Sequence, residues 1–223
     1  MIPAVVEILR ADPHIVSSTI YAAFIPSGIL PVWLYARRGM FDVKAAFPLC
    51  LGGVVSSYIG AAFKASISGT ALMLALAVIV FLAGVNILFP LRFGQFRITE
   101  ASEQKQWLFL VILGSIVGVL GGLTGAGGPV LTVPVMISCG FPIMVSVSAG
   151  VLFAIPSGIS GSIANIANGY IDWLMFIWVT ACLLGGNVLG VVLSSRIAVQ
   201  KIKLIVAVLC IGSAIFMLFR NLI

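Results

Sequence analysis

The sequence predicts an all-α, polytopic transmembrane helix bundle with two inverted repeats and a Gly-broken helix hairpin. Three observations carry this. Of 223 residues, 61% are hydrophobic and only 8% charged, with a mean hydropathy of +1.25; a soluble domain has roughly 45–50% apolar and about 25% charged residues. A chain this short cannot bury so much apolar surface away from water, so lipid is its solvent. Second, the apolar residues fall in runs long enough to span hydrocarbon. Third, residues 18–89 align without a gap on 148–219 at a constant offset of 130, with 15 identities in 72 positions.

The elements follow in order. A crossing helix needs about 20 apolar residues, and 14–35, 43–63 and 70–89 satisfy this in a first repeat, residues 1–89. Residues 90–106 (PLRFGQFRITEASEQKQ) are polar and read as a cytoplasmic linker. The second repeat, 107–223, contains runs at 145–166, 173–193 and 203–219. The stretch 107–140 is too long for one ordinary crossing at about 1.5 Å per residue. It is interrupted by GGLTGAGGP at 121–129, so it is expected to form two arms, 107–122 and 129–139. By the offset, Met1 falls opposite Leu131, and the first repeat lacks its first helical arm and glycine turn. The expectation is that an upstream in-frame extension supplies them. Residues 1–13 carry Glu7, Arg10 and Asp12 and lack the apolar core of a cleavable signal peptide.

Charge sets the orientation. The acids Glu7, Asp12, Asp42, Glu100, Glu103 and Asp172 lie outside the apolar runs or at their edges. The net charge of +6 comes from bases in short loops, which membrane orientation explains better than nucleic acid does, and no nucleic-acid partner is expected. If the two arms form a hairpin, Arg37, Arg38, Lys44, Arg92, Arg97, Lys105, Arg196, Lys201 and Lys203 share one side, against Arg10, Lys64 and Arg220. That 9 to 3 split suits the positive-inside rule better than the 7 to 5 of a single crossing. Repeat-equivalent loops exchange charge: RRGMFDVK is basic where NGYIDW has no base, and KASISGT has one base where SRIAVQKIK has three. Halves of opposite orientation produce this exchange.

Chemistry-bearing motifs are few. Cys50, Cys139, Cys182 and Cys210 lie in apolar segments without metal-ligand spacing and read as packed thiols. No acid pair or His cluster suggests catalysis, so neither an enzyme nor a cofactor is expected. The break at 121–128 reads as a broken helix at membrane depth, tolerated only where backbone is buried in protein or lines a cavity. Upstream, Gly114, Gly118 and Gly122 have the small-xxx-small spacing of close helix packing.

IPSGI occurs once per half, at 25–29 and 155–159, where proline is expected to kink the helix near the pseudo-two-fold axis. Serines surround both copies, and each is expected to bond mainly to its own helix backbone. Asp42 and Asp172 are equivalent and read as helix N-caps, and His14 reads as structural. No carboxylate, Lys or Arg is expected deep in a span. A solute would then be held by hydroxyls, amides and helix N-termini, donors that suit a small anion. Candidate solute-path residues are Thr124, Gly125, Gly127 and Gly128 in the break, Pro26, Ser27, Pro156 and Ser157 at the kinks, and Asn165. The expected partners are the lipid bilayer and a small anionic solute, with homo-oligomerisation left open.

GAGGPVLTVPV at 125–135, and the two IPSGI segments followed by Gly-x-x-Asp at Gly39–Asp42 and Gly169–Asp172, resemble the sulfite exporter TauE/SafE family of membrane permeases. The resemblance covers nearly the whole chain, once per half. It implies passage of small sulfur-containing anions, such as sulfite, sulfoacetate or other organosulfonates, across a prokaryotic plasma membrane. It also implies that Gly125, Gly127, Gly128, Pro26 and Pro156 face the solute path. The sequence departs from the family pattern at Pro129, which replaces the third glycine of the commonest turn, and in the first half, which has no copy of that turn. The alternatives are a channel or permease for another small solute and a non-transporting subunit of a membrane complex.

Overall fold

The computed structural model describes residues 12–37, 39, 42–88, 98–100, 102–125, 128–194, 208, 211, 212, 214 and 215. All regular structure among them is helical. Among the described residues seven α-helices are delimited, in order: α1 (Pro13–Arg37), α2 (Val43–Phe63), α3 (Gly69–Leu88), α4 (Glu103–Thr124), α5 (Pro129–Ser138), α6 (Ile143–Ala167) and α7 (Trp173–Ser194). Short 3₁₀ turns occupy Lys64–Ser66 and Ile98–Glu100. Four of the described segments are long and apolar enough to cross a membrane: α1, α2 with its 3₁₀ turn, α4 and α6.

The predicted spans from 14 to 193 reappear as helices, with two corrections around α4. The helix begins at Glu103 rather than after residue 106, because the Ser102 carbonyl accepts the Lys105 and Gln106 amides at 2.9 and 3.1 Å. Glu103 then lies in the first turn, where the helix dipole favours an acid. At the other end, Gly121 and Gly122 remain helical and the break starts only at Gly125. Most of the 203–219 span and of the 90–106 linker, with residues 1–11, including Arg10, and Cys210, lies outside the described residues.

Glycine decides which helices touch. Along the α2–α4 seam, a Cβ at Gly114 would meet the Leu49 carbonyl, at Gly118 the Ser56 hydroxyl, and at Gly122 the Ser57 carbonyl. From the other side, a Cβ at Gly52 or Gly60 would meet the Val111 or Val119 carbonyl. The packing role expected for Gly114 and Gly118 is what the backbone approach requires. Leu49, Leu110, Leu113, Val117, Met136 and Phe153 fill one apolar cluster joining α2, α4, α5 and α6. A second, with Val16, Ile20, Ala77 and Val179, joins α1, α3 and α7.

The outer faces are apolar too. Val55, Ile116, Ile163, Leu174 and Trp178 are more than half exposed. Such a surface suits lipid and would be an aggregation liability in water.

Helices α1 and α6, the IPSGI helices, cross in antiparallel sense. Ser18 bonds Asn165, and a Cβ on Gly161 would meet the Tyr21 ring. A Cβ on Gly158 would lie 3.0 Å from Ile25 Cγ1, and one on Gly28 3.1 Å from Ile155 Cγ1. These last contacts are reciprocal: each half's glycine receives the other half's equivalent isoleucine.

Candidate functional site

Capping places the helix ends first. The Asp42 carboxylate accepts the Lys44 and Ala45 amides at 3.0 and 3.4 Å, and Asp172 accepts those of Leu174 and Met175 at 2.9 and 3.0 Å. Both are N-caps, as their type and position predicted. The Asp172 amide in turn donates to Thr19 Oγ1 at 3.1 Å, pinning the start of α7 to α1. His14 stacks on Tyr170, with ring centroids 5.5 Å apart, and joins the same helix ends.

Between these ends lies a buried polar cluster that corrects one expectation. Lys64 does not project from a loop into water; it is 0% exposed. Its Nζ donates to Ser17 Oγ at 3.0 Å and to Ser18 Oγ at 2.9 Å. The cause is register. Gly53, Ser57, Gly60 and Ala61 form the small-residue face of α2, and Lys64 continues that face by one more turn. Its stem is thereby drawn inward beneath α1.

Ser17 Oγ donates to the His14 carbonyl at 3.2 Å, and Ser18 Oγ donates to Asn165 Oδ1 at 3.0 Å. The chain Lys64–Ser18–Asn165 thus ties α2, α1 and α6 together. Among the described residues no carboxylate pairs with Lys64; the one ion pair found there is Lys44–Glu103, at 3.1 Å and almost fully exposed. Asn165 Nδ2 and Ser162 Oγ, one turn apart on α6, are buried with no hydrogen-bond partner. One turn deeper, Tyr21 Oη bonds Ser57 Oγ at 3.2 Å.

The helix break abuts this cluster. Gly125 has φ +74° and ends α4 in a left-handed cap, its amide donating to the Gly121 carbonyl at 2.8 Å. A Cβ there would drive into the Ser17 carbonyl. Gly128, with φ 71° and ψ −134°, occupies backbone space essentially reserved for glycine, and a Cβ would lie 2.9 Å from that of Ala154. Gly125 is therefore seated against α1 and Gly128 against α6. Thr124 Oγ1 bonds the Leu120 carbonyl at 2.6 Å. Gly127 lies outside the described residues.

The proline segments behave differently from the break. Helices α1 and α6 continue through Pro26 and Pro156. Ser27 Oγ donates to the Phe24 carbonyl at 3.2 Å and Ser157 Oγ to that of Phe153 at 2.5 Å. These hydroxyls serve the backbone near each proline. The Ser27 carbonyl accepts Asn187 Nδ2 at 2.8 Å.

Of the residues singled out from sequence, Asn165 and Gly125 thus meet at the Lys64 cluster. Pro26, Ser27, Pro156 and Ser157 mark the α1–α6 crossing, and Gly128 sits against α6. Lys64 and Tyr21 were missed. The small-residue face of α2 was the available signal for Lys64.

Comparison with known proteins fits this architecture. The family profile described as Sulfite exporter TauE/SafE matches residues 1–217. The chain is similar to the probable membrane transporter protein YdhB of Bacillus subtilis (strain 168), with 28% identity over 185 residues, 79% of this chain and 73% of that protein. It is also similar to the probable membrane transporter protein YunE of the same organism, with 22% identity over 214 residues, 89% of this chain and 78% of that protein. No solved structure matches significantly.

Proposed function

Because the chain belongs to the sulfite exporter TauE/SafE family of membrane transporters, we propose that it moves a small anion, sulfite or an organosulfonate, across a prokaryotic plasma membrane. The observation that carries this reading is the character of the buried groups where α1, α2 and α6 meet. Hydroxyls, an amide and one ammonium gather there, with no carboxylate among the described residues. Ionisable groups inside membrane helices are costly and mark solute or ion pathways. A donor-rich, carboxylate-free set selects negative charge.

The two units of the machine are residues 1–89 and 107–223, joined through the 90–106 linker and related as inverted repeats. The exchanged loop charges and the reciprocal Gly28–Ile155 and Gly158–Ile25 contacts both support that relation. Symmetric halves meeting at a glycine-lined crossing can rock against each other with little side-chain obstruction, the motion alternating access requires.

The test is flux. Protein reconstituted in vesicles should take up labelled sulfite saturably, with competition from unlabelled sulfoacetate. Uptake no faster than in protein-free vesicles for sulfite, sulfoacetate and thiosulfate alike would overturn the reading. Dependence of that uptake on an imposed ion gradient distinguishes a carrier from a channel.

A further inference from the structure

We propose that Lys64, with Ser17, Ser18 and Asn165, forms an oxyanion-binding site, in which the lysine supplies the compensating charge and the asparagine amide a fixed donor. The inference rests on the anion-transporter reading and assigns it to particular atoms. Four observations converge. The four side chains are each no more than 1% exposed, so water does not solvate the ammonium. A buried charge left unpaired costs several kcal/mol, and no described carboxylate pairs with it.

The hydrogen-bond directions leave N–H donors over. Ser17 and Ser18 direct their protons to the His14 carbonyl and Asn165 Oδ1, and accept from Lys64 Nζ with their lone pairs. An ammonium has three N–H donors, and two are engaged. Asn165 Nδ2 has no partner at all, and neither has Ser162 Oγ beside it. One positive charge with unused N–H groups on two helices is complementary to a compact group bearing several acceptor oxygens, as a sulfite or sulfonate does.

The site is closed in this arrangement, its four side chains buried and Gly125 seated against the Ser17 backbone. The ligand's oxygens would therefore replace the serine hydroxyls around Nζ. The site is not duplicated in sequence. At the offset of 130, Lys64 corresponds to Ser194, Ser17 to Val147 and Asn165 to Tyr35, so the equivalent positions carry no cation.

The test uses full-length protein in lipid nanodiscs, with thermal unfolding followed against added sulfite, sulfoacetate or chloride at fixed ionic strength. A ligand that binds the folded state raises its melting temperature. Wild type should be stabilised by sulfite or sulfoacetate and not by chloride. Lys64→Met should abolish that shift, while Lys64→Arg, which keeps the charge, should retain it with an affinity weakened about tenfold. Asn165→Asp separates ligand binding from folding. It places a carboxylate one hydroxyl away from the ammonium, across Ser18, so the protein should be at least as stable as wild type without ligand, yet insensitive to sulfite.

No oxyanion-dependent shift in wild type would overturn the assignment, as would a full shift in Lys64→Met or Asn165→Asp. Should Lys64→Met fail to fold, the Asn165→Asp result decides. Sulfite flux that persists undiminished in Asn165→Asp would sink this site while leaving the transporter reading intact.

Discussion

Asp172 does two things at one backbone position. Its carboxylate caps α7, and its amide reaches Thr19 on α1. Removing the cap in Asp172→Ala should cost about 1 kcal/mol, the usual value of an aspartate N-cap. Thr19→Val should cost a similar amount by orphaning the amide, since a net hydrogen bond is worth about 1 kcal/mol. Both losses should appear as lower melting temperatures in detergent. In the double variant they should add to less than their sum, because both act on one helix start; full additivity would argue against a shared junction.

The glycines of the turn answer to a stricter limit. Gly125→Val would set a β-branched side chain at positive φ and into the Ser17 carbonyl. Gly128→Val meets the same backbone restriction and Ala154. Each should abolish sulfite uptake while the protein still inserts at normal levels, measured by membrane yield and vesicle flux. Normal uptake in both would reduce the turn to a packing device.

At the scale of elements, α2 and α4 make the most extensive helix–helix contact among the described elements, and it is built from small residues on both partners. Enlarging one of them forces the helices apart. Gly118→Leu should therefore destabilise strongly, beyond the roughly 1–3 kcal/mol typical of core overpacking, because it meets Gly53 backbone as well as the movable Ser56 hydroxyl. Ile116→Ala, two residues away but more than half exposed to the surroundings, should change the melting temperature little. Comparable losses in the two variants would mean that the seam is not where stability resides. The contrast between α4 and the proline helices belongs to this scale too. Gly125 stops a helix, whereas Pro26 and Pro156 are carried within theirs.

At the scale of the whole molecule, thiol labelling measures the orientation of the two halves. In a background lacking Cys50, Cys139, Cys182 and Cys210, Lys44→Cys and Lys201→Cys should react with an impermeant thiol reagent from the cytoplasmic face. Ser66→Cys and Asn168→Cys should react from the opposite face. The exposed Lys44–Glu103 contact already holds the start of α2 and the start of α4 at one end of the bundle. The helix ends around Asn168 and Asp172 gather with the start of α1 at the other. If Lys44→Cys and Lys201→Cys react from different faces, the inverted-repeat arrangement is wrong.

The sequence by itself determined the solvent, the helices and most of their starts; both ends of α4 were set instead by hydrogen bonds and backbone angles that the run of apolar residues does not record. Composition required lipid, run length set the spans, and the types of Asp42, Asp172 and Pro129 marked starts, because each of these is a local or additive property of the chain. The glycine spacing of 114, 118 and 122 was legible as a packing face for the same reason: periodicity along one helix is written in one dimension. What that face packs against was not, since nothing in GSIVGVLGG names Leu49 or Ser57. Lys64 shows the limit most clearly. In sequence it is a base in a short polar segment and counts toward orientation. Only the crossing of α1 over the end of α2 turns its stem inward, removes its water and brings Ser17, Ser18 and, through Ser18, Asn165 to its ammonium. Desolvation and long-range pairing depend on which helices become neighbours, and that choice belongs to the tertiary structure.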